Sequence, residues 1–301
     1  MSAITALVTV PIDNTSHRRI FSFSDTVDYF ADNGLNNIFR LGDATAPEII
    51  DDQFVRPLQD DGAGFVNRWA TLVFEGRVYF TRLDCSIKKI TYHPTIDNVR
   101  RDEATDLTSP SNLLGAKYMV EFFDHLVVAF TSENGTAIPN RIRWSDLRKW
   151  DNWIPGRSSE ADYYDLLSQP EETLSGCTGM GVLGNALLVY KSTGIYAVEY
   201  VGLPSVMRIS TVMEGIGNEY YYGLIALDKL HFFISETCKN IFQFDGQNLT
   251  PIGTDIYDYF VETRNADPIL KQKLWSYFDS TTHELVWCFC STEATGEYDR
   301  E

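Results

Sequence analysis

Apolar residues in this chain fall in short runs of about five to eight, cut by Gly, Asn, Asp and Ser, and not at the three-to-four spacing of amphipathic helices. The pattern is clearest over residues 178–253. A run at 186–190 turns at Ser192, Thr193 and Gly194 into a second run at 195–200. Further on, a run at 230–234 turns through 236–239 into 240–244, which stops at Asp245 and Gly246. Runs rich in β-branched and aromatic residues, separated by tight turns, predict hairpins.

The same arrangement recurs along the chain. One copy holds runs at 70–74, 77–81 and 87–92, and another holds 116–123, 126–130 and 140–144. A last copy holds 273–278 and 284–290. Phe74, Phe123, Leu183, Leu227 and Phe278 close the first run of each copy, at intervals of 44 to 60 residues. Propeller blades repeat at about 40–50 residues, so the intervals fit a blade with insertions. The expected fold is all-β, a β-propeller of antiparallel blades, with a two-sheet β-sandwich as the alternative.

Two expected divisions follow. Residues 1–60 read as a strand over 4–10 ending at Pro11, then a short helix capped near Ser24, then an acidic loop. That helix would use Val27, Phe30 and Ala31 and close at Gly34. Residues 61–301 read as the propeller, incomplete towards its C-terminal end. Insertions are expected at about 145–173 and at 254–267, the second a short helix with Ile256, Tyr259 and Phe260 on one face. Because an open edge strand invites aggregation, the strand over 4–10 is expected to pair beside 285–289 and close the ring.

Composition narrows the function. The chain has 301 residues, 44% of them hydrophobic and 13% aromatic, which suits a large globular β-rich core. Lysines and arginines number 25 against 42 acids, a net charge of −17 that opposes general nucleic-acid binding. Cys85, Cys177, Cys238, Cys288 and Cys290 form no CxxC pair and read as reduced, half-buried strand residues. The histidines are scattered, with His125 and His283 in hairpin turns, where a solvated ring is expected, and His231 inside a strand. No nucleophile elbow, metalloprotease helix, phosphate-binding loop or dinucleotide fingerprint occurs. No catalytic residue, metal site or cofactor is therefore expected, and no run is apolar enough to span a membrane.

The densest local chemistry lies at 140–153, where Trp144, Trp150 and Trp153 interleave with Arg141, Arg143, Arg148 and Lys149. Indoles among cations could stack bases or sugars. The alternative is that the indoles close a core and the cations pair with the surplus acid, which the net charge favours.

This segment, Pro139 to Asp146 with Trp153 beyond it, resembles part of the tail nozzle proteins of short-tailed bacteriophages and the related packaged-DNA-stabilisation proteins. The runs 187–191, 194–198 and 200–202 extend the likeness, as do 232–235, 241–246 and 251–253. It covers roughly residues 69–290 and leaves 1–60 out. The resemblance implies a virion structural protein: a propeller repeated around a homo-oligomeric ring, hexameric by analogy. Such a ring would touch adaptor or portal proteins on one side and fibres or a needle on the other. DNA would pass through it without specific binding. A conduit for a polyanion is best lined with like charge. Asp51, Asp52, Asp60, Asp61, Glu160, Asp162 and Asp165 are the candidate lining acids, with the basic residues of 140–153 left for subunit contacts. A carbohydrate-binding or carbohydrate-processing propeller, including a host-receptor binder, is the alternative.

Overall fold

The computed structural model describes residues 4–11, 18–24, 38–41, 48–49, 70–74, 77–83, 85–91, 103–108, 111–166, 176–267, 271 and 274–292. They form an all-β protein with one short helix. The first sheet takes β1 (Ile4–Pro11), β2 (Arg18–Ser24), β3 (Ile38–Leu41) and β4 (Glu48–Ile49). The second takes β5 (Ala70–Phe74), β6 (Arg77–Arg82), β7 (Cys85–Thr91) and β8 (Glu103–Asp106). The third takes β9 (Leu113–Phe122), β10 (His125–Glu133), β11 (Thr136–Trp144) and β12 (Asp162–Asp165). The fourth takes β13 (Cys177–Leu183), β14 (Ala186–Lys191), β15 (Gly194–Gly202) and β16 (Val206–Glu214). The fifth takes β17 (Ile225–Ala226), β18 (His231–Ser235), β19 (Asn240–Phe244) and β20 (Leu249–Pro251). Helix α1 (Tyr257–Thr263) precedes the hairpin of β21 (Trp275–Asp279) and β22 (Glu284–Cys288). Strands follow one another in chain order in every sheet, and every pairing between them is antiparallel.

The predicted meanders are thus real, and all but the last, which is the two-stranded β21–β22 hairpin, gain a fourth strand that the apolar runs alone do not announce. The reason is burial. Strand β10 is buried along its whole length and β18 likewise, so both read as continuous apolar runs. The fourth strands β12, β16 and β20 are mostly exposed, and their apolar residues form no continuous run. Strand β12 lies inside the span read as the insertion 145–173.

The chain divides into two compact units, with β1–β12 in the first and β13–β22 and α1 in the second. The division falls between β12 and β13, whereas the sequence places it near residue 60. Within the first unit β1 lies against β5 and β5 against β9; within the second β13 lies against β17 and β17 against β21. Within each unit the first strand of one sheet therefore neighbours the first strand of the next. Strand β1 pairs with β2, not with the strand over 285–289 that the expected closure required. The helix expected after Ser24 lies outside the described residues. Among those described, no helix is long and apolar enough to cross a membrane.

Helix α1 forms within 254–267 but buries a different face. Tyr257 and Phe260 pack against Tyr220, Ile234, Ile241, Leu274 and Phe289, while Ile256 is 54% and Tyr259 63% exposed. An i, i+3 pair one position later serves the core just as well, which a seven-residue helix leaves undecided in sequence.

The seam between the fourth and fifth sheets depends on missing side chains. A Cβ on Gly181 would stand 2.5 Å from the Ala226 Cβ and 3.1 Å from His231 Cε1, and one on Gly179 would stand 2.9 Å from Leu224. His231 fills the room so left and is fully buried. Its Nε2 is 3.2 Å from the Val182 carbonyl, which can only accept, so that nitrogen carries the proton. Nδ1 then accepts from the Tyr190 hydroxyl at 2.9 Å. Burial lowers the His231 pKa to about 4 from an ordinary 6.5.

Two outcomes follow at this seam. Gly181→Val places atoms where Ala226 and His231 stand and should cost about 1–3 kcal/mol, read as a lower thermal midpoint. Between pH 6.5 and 4 the unfolded chain protonates this histidine and the folded chain does not. Stability should therefore fall as pH drops through that window, by up to about 3 kcal/mol at its lower end. Denaturant unfolding across pH checks this, and His231→Gln should flatten the dependence.

Candidate functional site

Strand alternation puts Arg141 and Arg143 on one face of β11 and Ile142 and Trp144 on the other. Opposite Arg141 on β12 stands Asp165. Arg141 grips it with two bonds, Nε to Oδ1 at 2.7 Å and Nη2 to Oδ2 at 2.8 Å. Its guanidinium also lies 4.0 Å from the centre of the Tyr163 ring. The bond to Asp165 raises the Arg141 pKa well beyond its already high value, so the cation is permanent.

Behind this pair lies Glu133, at the end of β10 and 5% exposed. Arg141 Nη1 reaches its Oε2 at 3.0 Å, and Arg143 Nη1 reaches its Oε1 at 3.0 Å. Asn112 Nδ2 donates to Oε2 at 3.0 Å and accepts from Arg143 at 2.8 Å through its own oxygen. Arg143 then donates from Nη2 to the Trp153 carbonyl at 2.6 Å. One buried carboxylate thus holds two arginines, and the second arginine holds the tryptophan loop.

Asp146 organises the loop itself. Its Oδ1 accepts from the backbone N–H groups of Leu147 at 3.0 Å and Glu160 at 2.8 Å. Its Oδ2 accepts from Lys149 at 3.0 Å and Asn152 at 3.2 Å. Burial pushes the Asp146 carboxyl up, but the Glu160 amide, Lys149 and Asn152 outweigh it and hold it below the ordinary range. All three indole N–H groups are bonded to carbonyls: Trp144 to Glu160 at 2.8 Å, Trp150 to Asp124 at 3.3 Å and Trp153 to Trp150 at 2.9 Å. Trp153 sits fully buried in the core of Tyr79, Ile87, Leu126 and Val128. Trp150 meets Phe74 and Tyr79 edge-on at 5.4 and 5.7 Å. Arg148, largely exposed, pairs with Asp124 at 2.8 Å.

The geometry brings Arg141, Arg143, Trp144, Arg148, Lys149, Trp150 and Trp153 into one assembly, with each cation on an acid of the same unit. Among the candidate lining acids, Asp165 is bound to Arg141, and Glu160 lies 3.4 Å from His125. Asp162 is exposed at the edge of the sheet. Asp51, Asp52, Asp60 and Asp61 lie outside the described residues. His125 is fully buried, not solvated, because its Nδ1–H reaches the Ser145 carbonyl at 2.7 Å and its ring replaces an apolar residue at the start of β10. His283 is exposed in its turn, as expected. Cys177, Cys288 and Cys290 are buried and Cys238 is exposed in a turn. Glu133, Asn112 and Tyr163 went unremarked in the sequence. The Asn134–Gly135 hairpin signal, which fixes Glu133 opposite Thr136, is what could have drawn attention to the first.

Among the described residues no group of three or more His, Cys, Asp or Glu side chains could hold a metal ion. No protein-family model matches the chain, and no curated protein matches it significantly. The arrangement is chemically an anchor: charges meet charges, and indoles fill a core.

Trp153→Ala should therefore destabilise the protein by about 3–5 kcal/mol in denaturant unfolding. Glu133→Gln, which strands Arg143 without its carboxylate, should cost a similar amount of about 3–5 kcal/mol. Arg148→Ala, at the surface, should cost under about 1 kcal/mol.

Proposed function

We propose that this chain is a structural subunit of a short-tailed phage virion, a propeller assembled into a homo-oligomeric tail ring through which DNA is retained and then ejected. The observation that carries the reading is the succession of chain-ordered antiparallel sheets whose first strands neighbour one another within each unit. Strands that run from neighbouring inner positions to exposed fourth strands are what blades around an axis require. On this reading β21 and β22 are the inner part of a sixth blade. The resemblance at 139–153 and in β13–β20 supplies the phage tail; adaptor or portal proteins and fibres or a needle are the neighbours it implies.

Electrostatics supports passage without grip. Arg141, Arg143, Arg148 and Lys149 each sit on an acid of their own unit, so none is set out as a phosphate ladder. With those cations internally matched, the chain's net −17 falls on other surfaces. A wall of that sign holds a polyanion away and releases no counterions to it. Of the described candidates Asp162 is the one placed to contribute, since Asp165 and Glu160 face partners within the protein.

Electron microscopy of the purified protein should show rings with an axial channel, and the rings should leave duplex DNA unbound at low salt. Particles that stay monomeric at every concentration and bind glycans would replace this reading with the carbohydrate-binding propeller. Tight, salt-sensitive DNA binding by intact rings would overturn the repulsive conduit.

A further inference from the structure

Glu236, in the turn between β18 and β19, collects three donors from three separate stretches of the second unit. The Tyr220 hydroxyl, from the connector between β16 and β17, donates to Oε1. Arg264, directly after α1, places Nη2 2.9 Å from the same oxygen. Lys271, on the way to β21, places Nζ 2.5 Å from Oε2. Both cations also lie over rings, Lys271 over Tyr220 at 5.6 Å and Arg264 over Phe260 at 5.9 Å. The charged side chains are 15–23% exposed, which keeps these contacts strong but within reach of water.

A second carboxylate stands beside the first. Glu219 is half-buried and accepts from the Thr237 hydroxyl at 3.0 Å. Burial first, and then the charge of Glu236, push its carboxyl above the ordinary range, against the pull of Thr237 and Lys271. Burial acts on Glu236 in the same sense, but Lys271, Tyr220 and Arg264 bring it below. Tyr257 of α1 also feels this field, its hydroxyl pushed up by burial first and then by Glu236.

The cluster stands beside the smallest sheet: among the described residues the hairpin of β21 and β22 has two strands where the other sheets have four. Polar ties join it to the rest of the second unit. Tyr222 bridges Trp275, Ser276 donates to the Tyr222 carbonyl at 3.0 Å, and the Trp287 indole donates to the Gly223 carbonyl at 2.9 Å. The stretch after β22 bonds to the stretch after α1, Asn265 N–H to Cys290 O and Thr292 N–H to Thr263 O, each at 2.8 Å. Arg264, bridged to Ser291 in this same set, joins it to Glu236.

We propose that Glu236 is an ionic latch that clamps Arg264, at the end of α1, and Lys271 onto the fifth sheet, with Glu219 as its opposing charge. Weakening the latch lets α1 and the β21–β22 hairpin open together while β13–β16 and β18–β19 stay closed. Sub-global opening of this kind is read by amide hydrogen exchange.

The test is exchange on the full-length protein at pH 7. Glu236→Gln should lower protection in α1, β21 and β22 by about tenfold or more and leave β13–β16 and β18–β19 unchanged. Glu219→Gln keeps the acceptor for Thr237 but removes the repulsion, and should raise protection in the same three elements by about two- to threefold. Unchanged protection in Glu236→Gln, a loss spread evenly over β13–β22, or a fall in Glu219→Gln would each overturn the latch. Should Glu236→Gln not fold, Lys271→Gln removes one strut and must give the same selective loss, smaller in size; uniform loss or none would overturn the proposal there too.

Discussion

Stacked sheets ordinarily stand about 10 Å apart, a distance set by the side chains between them. Where β13 meets β17 the β13 side contributes no side chain at Gly179 and Gly181, and the Ala226 methyl comes so near that a single Cβ on Gly181 would collide. The close approach fixes much else in the second unit. Beside Gly181 it leaves room for the His231 ring, whose two nitrogens both reach the fourth sheet. It lets Asn218 bond the Thr178 and Tyr220 carbonyls, at 3.1 and 2.7 Å, so that the connector runs tight across the seam. Tyr220, steered by that connector, then arrives at Glu236.

The first unit solves the same problem of joining elements with charge in place of proximity. Glu133 is a buried carboxylate that two arginines neutralise, and through Arg143 it reaches the backbone at Trp153. A network of this kind adds less to stability than an apolar core of equal volume. Its value is geometric: guanidinium forks demand particular oxygen positions, so the loop has one place to sit.

How far the sequence could be read depended on burial. Runs such as 126–130 and 230–234 announce themselves because β10 and β18 are wrapped on both faces. The exposed outer strands do not, since Asp162, Tyr163, Tyr164 and Asp165 carry no apolar alternation to distinguish them from a loop. The tryptophans were legible as a cluster, and their pairing with acids was legible in kind from the net charge. That the key acid is Glu133 was not, because charge counts say nothing about which carboxylate a hairpin turns inward. His125 misled for a related reason: a turn position suggests solvent, and only the three-dimensional neighbour Ser145 supplies the acceptor that lets the ring be buried.

The seam at His231 also offers a spectroscopic handle. An imidazole with its proton confined to Nε2 gives two widely separated nitrogen resonances, one pyrrole-like and one pyridine-like. An imidazole free to exchange tautomers gives averaged ones. The ring can hold one tautomer only while the Val182 carbonyl and the Tyr190 hydroxyl stay in place, and both belong to the sheet across the seam. The nitrogen shifts of this one residue therefore register whether the fourth and fifth sheets are in contact.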